Sequence, residues 1–188
     1  MDSITIVSGL PRSGTSMMMK MLEAGGMSIL TDNIRVADED NLKGYYEFER
    51  VKKLEEDKEW LDDAKGKVVK VISYLLKYLP DTHKFKIIFM QREIFEVLAS
   101  QRKMMERRGE KEDNIPEEKM AEQFKSHLDQ TYQWIRDQNN IDILFVNYND
   151  TLNSSMNTAV LVNEFLDVEL DLEKMANVVD NTLYRQRV

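Results

Sequence analysis

Gly9-Leu10-Pro11-Arg12-Ser13-Gly14-Thr15-Ser16 is the stretch on which the fold turns. Just before it, Ile4-Thr5-Ile6-Val7 is a short β-branched run that reads as a strand. Just after it, a Met-rich segment from Gly14 through Leu22 reads as a helix closed by Gly25-Gly26. The glycines at 9 and 14 have the spacing of a phosphate-binding loop, G-x-x-x-x-G-K-[ST], in the strand-to-helix context that such a loop needs. There the backbone N–H groups turn inward and the helix N-terminus adds partial positive charge, so an anionic phosphate is held. Met17, Met18, Met19 and Met21 on that helix read as adaptable core packing behind the loop.

Working outward, the same alternation continues. Met27-Ser28-Ile29-Leu30 reads as a possible second strand, and residues 31–43 as polar loop. Residues 45–60 are helical by period. Val68-Val69-Lys70-Val71-Ile72, Lys86-Ile87-Ile88-Phe89-Met90 and Ile141-Asp142-Ile143-Leu144-Phe145-Val146 read as strands. Helices are predicted over 94–107, after Pro116, over 152–166 and over 172–179. Strands alternating with helices imply a parallel sheet with right-handed crossovers. The expected fold is therefore an α/β three-layer sandwich around a mostly parallel sheet of about five strands, like that of the P-loop nucleoside kinases. With only Gly 7 and Pro 3, no linker or repeat is visible, and residues 1–188 read as a single domain.

Composition narrows the function. Lys+Arg 26 against Asp+Glu 34 gives a net charge of −8, which argues against a general nucleic-acid binder. A few local cations can still hold a small anion on an acidic body. The absence of Cys removes disulfides and thiolate chemistry and is compatible with a reducing cytoplasm. Asp2 stands where a signal peptide would carry Lys or Arg, and no apolar run reaches membrane-spanning length. The expectation is a cytoplasmic protein with no membrane insertion.

The loop departs from nucleoside triphosphatases in an informative way. Thr15 occupies the place of their Lys, and the one cation within the loop is Arg12. The candidate strands end at Ser73, Gln91-Arg92 and Asn147, with no carboxylate to hold Mg²⁺. The loop reads as a phosphate site unsuited to Mg-ATP hydrolysis, and no metal is expected.

These residues resemble the sulfotransferase family, whose members use 3′-phosphoadenosine 5′-phosphosulfate (PAPS) as donor. The family's first signature, P-[KR]-[ST]-G-[TS] after a strand, is similar to Pro11-Arg12-Ser13-Gly14-Thr15-Ser16. The resemblance implies that Arg12 contacts the bridging and sulfuryl oxygens, where charge develops during transfer, and that Ser13, Gly14, Thr15 and Ser16 bind the 5′-phosphate. The second signature is an Arg at a strand end with a Ser eight residues later, both on the 3′-phosphate. Arg92 and Ser100 have that spacing, although Arg92-Glu93-Ile94 departs from the family's Arg-[DN]-Pro. A weaker echo is Val146-Asn147-Tyr148-Asn149-Asp150-Thr151-Leu152, similar to the family's strand followed by Tyr-Glu-Asp-Leu. The implied acceptor is a small molecule or glycan bearing a hydroxyl or amine. Rival readings are a P-loop nucleotide or small-molecule kinase and a non-catalytic nucleotide-binding module of the same fold.

Transfer to a hydroxyl needs a base. Advancing about 100° per residue along a helix over 45–60 puts Glu47 in the apolar sector with Val51 and Leu54, and Glu49 in the solvent sector. Burial there raises a carboxyl pKa toward a useful range, so Glu47 is the expected base. Asp38, Glu39 and Asp40 are the alternatives. His83 and His127 read as structural or solvated. Arg185 and Arg187 lie where a basic C-terminal segment reaches the 3′-phosphate in several sulfotransferases.

Overall fold

In the computed structural model, which describes residues 2–32, 46–109 and 115–179, strand β1 (Ser3–Gly9) runs into helix α1 (Thr15–Ala24). Two 3₁₀ turns, Glu49–Lys53 and Glu59–Ala64, precede β2 (Val68–Lys70), and a third, Ser73–Tyr78, precedes β3 (Lys84–Gln91). Then come α2 (Ile94–Arg108), α3 (Glu117–Arg136) and β4 (Ile141–Asn147). Helices α4 (Tyr148–Asn153), α5 (Ser155–Leu166) and α6 (Leu172–Asn177) follow.

The strands form one parallel sheet in the order β2-β1-β3-β4. The two central strands are buried almost end to end, which is why they read as unbroken apolar runs rather than alternating ones. On one face Val7, Ile88 and Met90 pack against Met18, Met21 and Leu22 of α1 and Val162 of α5. On the other, Ile6, Val69, Ile87 and Phe89 meet Trp60, Leu61, Leu76 and Ile135. The expected three-layer α/β sandwich is present; Met18, Met19 and Met21 of α1 are core, and Met17 is partly buried against them. Lys86, on the α5 face of β3, donates to the carbonyls of Phe165 and Leu166 at 3.0 and 2.8 Å. It thereby serves orphan acceptors at the α5 C-terminus.

Two expectations are corrected. The sheet has four strands among the described residues, not about five. Residues 27–30 touch it through a single bridge, Ile29 to Val68. They go no further because Thr31 Oγ1 and Asp32 N both turn to the Glu47 carbonyl, at 2.8 and 3.3 Å. Nor do residues 46–60 form the expected α-helix. Tyr46 has φ 53 and Phe48 is extended at φ −131, ψ 112. The Asp32 carboxylate then accepts from Glu49 N at 2.6 Å, holding the chain in that bend. The apolar residues beyond it, Val51 with Leu54 and Leu61 with Ala64, are spaced by three, the period of the 3₁₀ turns that bury them.

Strand order also locates the site. From β1 the chain crosses to β2 on one side and returns for β3 on the other. The reversal leaves a crevice beyond the C-terminal ends of β1 and β3, where open α/β sheets take ligands.

Candidate functional site

The loop at the end of β1 is closed by its own groups. Ser13 donates both its N–H (3.2 Å) and its hydroxyl (2.7 Å) to the Leu10 carbonyl. Its side chain therefore shapes the loop. Arg12, at φ 70, and Gly14, at φ 98, are both left-handed. Glycine is required at 14 by neighbours as well as by φ, since a β-carbon there would lie 2.5 Å from Tyr148 Cδ2. At Gly9 it would lie 2.6 Å from the Met90 carbonyl. The first bond within α1 is Met18 N to Gly14 O at 3.1 Å, so the N–H groups of Thr15, Ser16 and Met17 precede the helical ladder at its positive end.

The residues expected from two signatures far apart in the chain meet here. Arg12 Nε donates to Ser100 Oγ at 3.0 Å, and Arg92 Nη1 donates to the Arg12 carbonyl at 3.0 Å. The chain achieves this because β1 and β3 are paired to their ends, Gly9 opposite Met90, and α2 returns Ser100 over the loop. Arg92 is fixed on three sides. Its Nε lies 2.9 Å from Glu96 Oε2, with both side chains only 6% exposed, and its Cζ stands 4.4 Å from the Tyr148 ring centre. Burial raises the Tyr148 pKa and Arg92 works against that rise. Asn149 Nδ2 donates to Glu96 Oε1 at 3.3 Å, while Asn149 Oδ1 and, at the end of β1, Ser8 Oγ are buried without a hydrogen-bond partner.

Glu96, Tyr148 and Asn149 went unassigned in the sequence. Tyr148 and Asn149 lie in the segment that echoes the family's third motif. Glu96 had a quieter signal, an acid four residues beyond Arg92.

A cleft of about 240 Å³ opens beside the loop, lined by Leu10, Ser13, Gln91, Arg92, Leu128 and Tyr132 among others. Gln91 Nε2 donates to the Tyr132 hydroxyl at 3.2 Å. Next to it on α3, His127 stacks on Tyr74 at 3.6 Å with rings 6° apart, and its Nε2 is 2.9 Å from Ser73 Oγ. Burial, with a smaller push from Lys77, lowers the His127 pKa.

Other expected residues are placed differently. The Glu47 carboxylate is 20% exposed and lies 3.9 Å from Lys52 Nζ. The helical face that recommended it does not exist, because residues 46–48 are not helical. His83 sits before β3 with Nε2 3.4 Å from Asp62. Asp38, Glu39, Asp40, Arg185 and Arg187 lie outside the described residues. Trp60 is core, edge-on to Phe48 at 5.5 Å. Among the described residues there is no group of three acidic, His or Cys side chains suited to a metal, and no helix long and apolar enough to cross a membrane.

A family model described as "Sulfotransferase domain" matches residues 2–186. Among solved structures, the chain is similar to the mouse sulfotransferase SULT7A1 complexed with PAP, with TM-score 0.54 and 19% identity over 95% of this chain and 62% of that one. The chain thus spans under two thirds of the length of that relative. An unliganded sugar kinase from Janibacter sp. HTCC2649 aligns at TM-score 0.44 and 10% identity, over 96% of this chain and 99% of that one. No curated protein sequence matches.

Proposed function

The chain belongs to the sulfotransferase family, and from that premise we propose that it moves a sulfuryl group from PAPS to a hydroxyl or amine of a small molecule. The observation that carries the reading is the meeting of Arg12, Ser100 and Arg92 at the crevice between β1 and β3. It fits a donor with a phosphosulfate at one end and a second phosphate at the other. The residues present suit that ligand: helix N–H groups ahead of the ladder, glycines with no room for a β-carbon, and two guanidinium groups within one hydrogen-bonded unit.

In this reading the N-terminus of α1, with Gly14, Thr15 and Ser16, takes the 5′-phosphate by backbone N–H groups and dipole. Arg12 lies where charge grows on the departing phosphate oxygen. Arg92 and Ser100 face the 3′-phosphate, and Glu96 and Tyr148 keep the Arg92 guanidinium in place. Bound PAPS supplies the activated sulfur–oxygen bond, and the chain's work is to orient it and to move a proton. A cytoplasmic location belongs to the same reading.

The test is thermal. Binding to the folded state alone raises the melting point. PAP should raise it equally with and without Mg²⁺, and Arg12→Ala should abolish that rise. Stabilisation by Mg-ATP alone would favour the kinase reading. Stabilisation by PAP with no transfer to any acceptor in a broad panel would favour the binding module.

A further inference from the structure

Asn149 carries a cost that its local structure does not explain. Its backbone is settled, because the Asn147 side chain caps α4, accepting from Asn149 N at 2.8 Å and Asp150 N at 3.1 Å. Its side chain is not, because Oδ1 is buried with no hydrogen-bond partner. A buried acceptor left unpaired is uncommon and destabilising. Turning the amide over would not help. It would set Oδ1 against the Glu96 carboxylate, an acceptor facing an acceptor. The chain thus forgoes one hydrogen bond and aims Nδ2 at Glu96 Oε1, 3.3 Å away.

Sheet register brings the two residues together. Gln91 lies opposite Asn147 at the ends of β3 and β4, so Arg92 and Tyr148-Asn149 leave the sheet side by side. Glu96, in the first turn of α2 and 5% exposed, then has a partner on each oxygen. Asn149 meets Oε1, and Arg92 Nε meets Oε2 at 2.9 Å. A carboxylate held at both oxygens cannot swivel, and it fixes the edge of the guanidinium that it meets. Arg92 Nη1 in turn reaches the Arg12 carbonyl at 3.0 Å, and Arg12 Nε reaches Ser100 Oγ at 3.0 Å. Charge points the same way. Arg12 and Arg92 against Glu96 leave a positive surplus among these side chains, and the amide adds a donor without cancelling it. A carboxylate at 149 would cancel that surplus and repel Glu96.

We infer that Asn149, acting through Glu96, is a positioning residue for Arg92 and sets the preference of this site for a nucleotide with a 3′-phosphate over one with a 3′-hydroxyl. The inference rests on the sulfotransferase reading above, in which Arg92 and Ser100 meet that phosphate. The 5′ end is held separately. Ser13 closes the loop onto the Leu10 carbonyl at 2.7 and 3.2 Å, and the N–H groups at the start of α1 make no bond to Glu96. Loss of the Asn149 amide therefore acts on one phosphate and spares the other.

Calorimetric titration of the full-length chain with PAP and with adenosine 5′-phosphate, which lacks the 3′-phosphate, reads the preference as a ratio of dissociation constants. Asn149→Leu removes the amide at similar size, and Asn149→Asp keeps the shape and adds the charge. In both variants PAP should weaken about tenfold, a mid-range coupling for residues of one ion-pair network, with adenosine 5′-phosphate held within about twofold. A merely structural loss moves the two ligands together. If in either variant both ligands weaken alike, or neither weakens, Asn149 does not act through Arg92 and the sulfotransferase reading stands. If wild type binds PAP no more tightly than adenosine 5′-phosphate, the 3′-phosphate role of Arg92 falls and this inference with it.

Discussion

Gly14→Ala tests the joint between the loop and Tyr148. The substitution imposes two separable penalties. An alanine at φ 98 carries left-handed strain of roughly 1–2 kcal/mol. Its β-carbon would also meet Tyr148 at 2.5 Å (Cδ2) and 3.0 Å (Cε2), distances that force the ring to move. Displacing the ring gives up its stacking on the Arg92 guanidinium, 4.4 Å away, worth about 1–2 kcal/mol in a desolvated setting. The sum is about 2–4 kcal/mol, or roughly 4–16 °C in melting temperature for a domain of this size. Gly26→Ala is the internal control. Its φ of 105 carries the same strain, but nothing lies within 4 Å of the added carbon. Urea unfolding of both variants reads the difference, which should be about 1–2 kcal/mol against Gly14→Ala. Equal losses in the two would refute the claim that Tyr148 seals the loop.

Three other outcomes are expected. Glu96→Gln removes the carboxylate paired with the buried Arg92 and should cost about 3 kcal/mol in urea unfolding; a loss under ~1 kcal/mol would mean the pair is open to water. The depressed His127 pKa fixes a sign. The unfolded chain takes up that proton first as pH drops through 6.5, so acid should destabilise wild type more than His127→Asn from that point down to the folded-state pKa. Parallel melting curves of the two across pH 7.5–5.0 would contradict it. Lys86→Met removes a charged donor to two carbonyls at the α5 C-terminus and should cost about 1–2 kcal/mol. A chemical-denaturation midpoint unchanged from wild type would show that water serves those carbonyls equally well.

The shape of the loop after β1 and the two residues that meet it were legible because each rests on local chemistry: glycine where φ is positive, a cation at a strand end, a small hydroxyl on the next helix. Arg12 meets Ser100 because β1 pairs with β3 up to Gly9 and Met90 and α2 then brings Ser100 back over the loop. Residues 46–60 were misread because their apolar spacing fits both 3 and 3.6 per turn. The deciding group, the Asp32 carboxylate on Glu49 N, comes from a different segment. Tyr148 was missed for a related reason. Its setting is made by Gly14 and Arg92, both distant in sequence.

The place of β1 between β2 and β3 also bears on how the protein is made. β1 is needed from the start, yet its long partner strand lies roughly 80 residues later in the chain. At ~5–20 residues per second of synthesis, that apolar strand waits about 4–16 s for β3 to be made. Through that interval Ile4, Ile6 and Val7 have only local chain to cover them. Early chaperone contact with the N-terminal segment, and aggregation when translation stalls before residue 91, are the liabilities that this strand order carries.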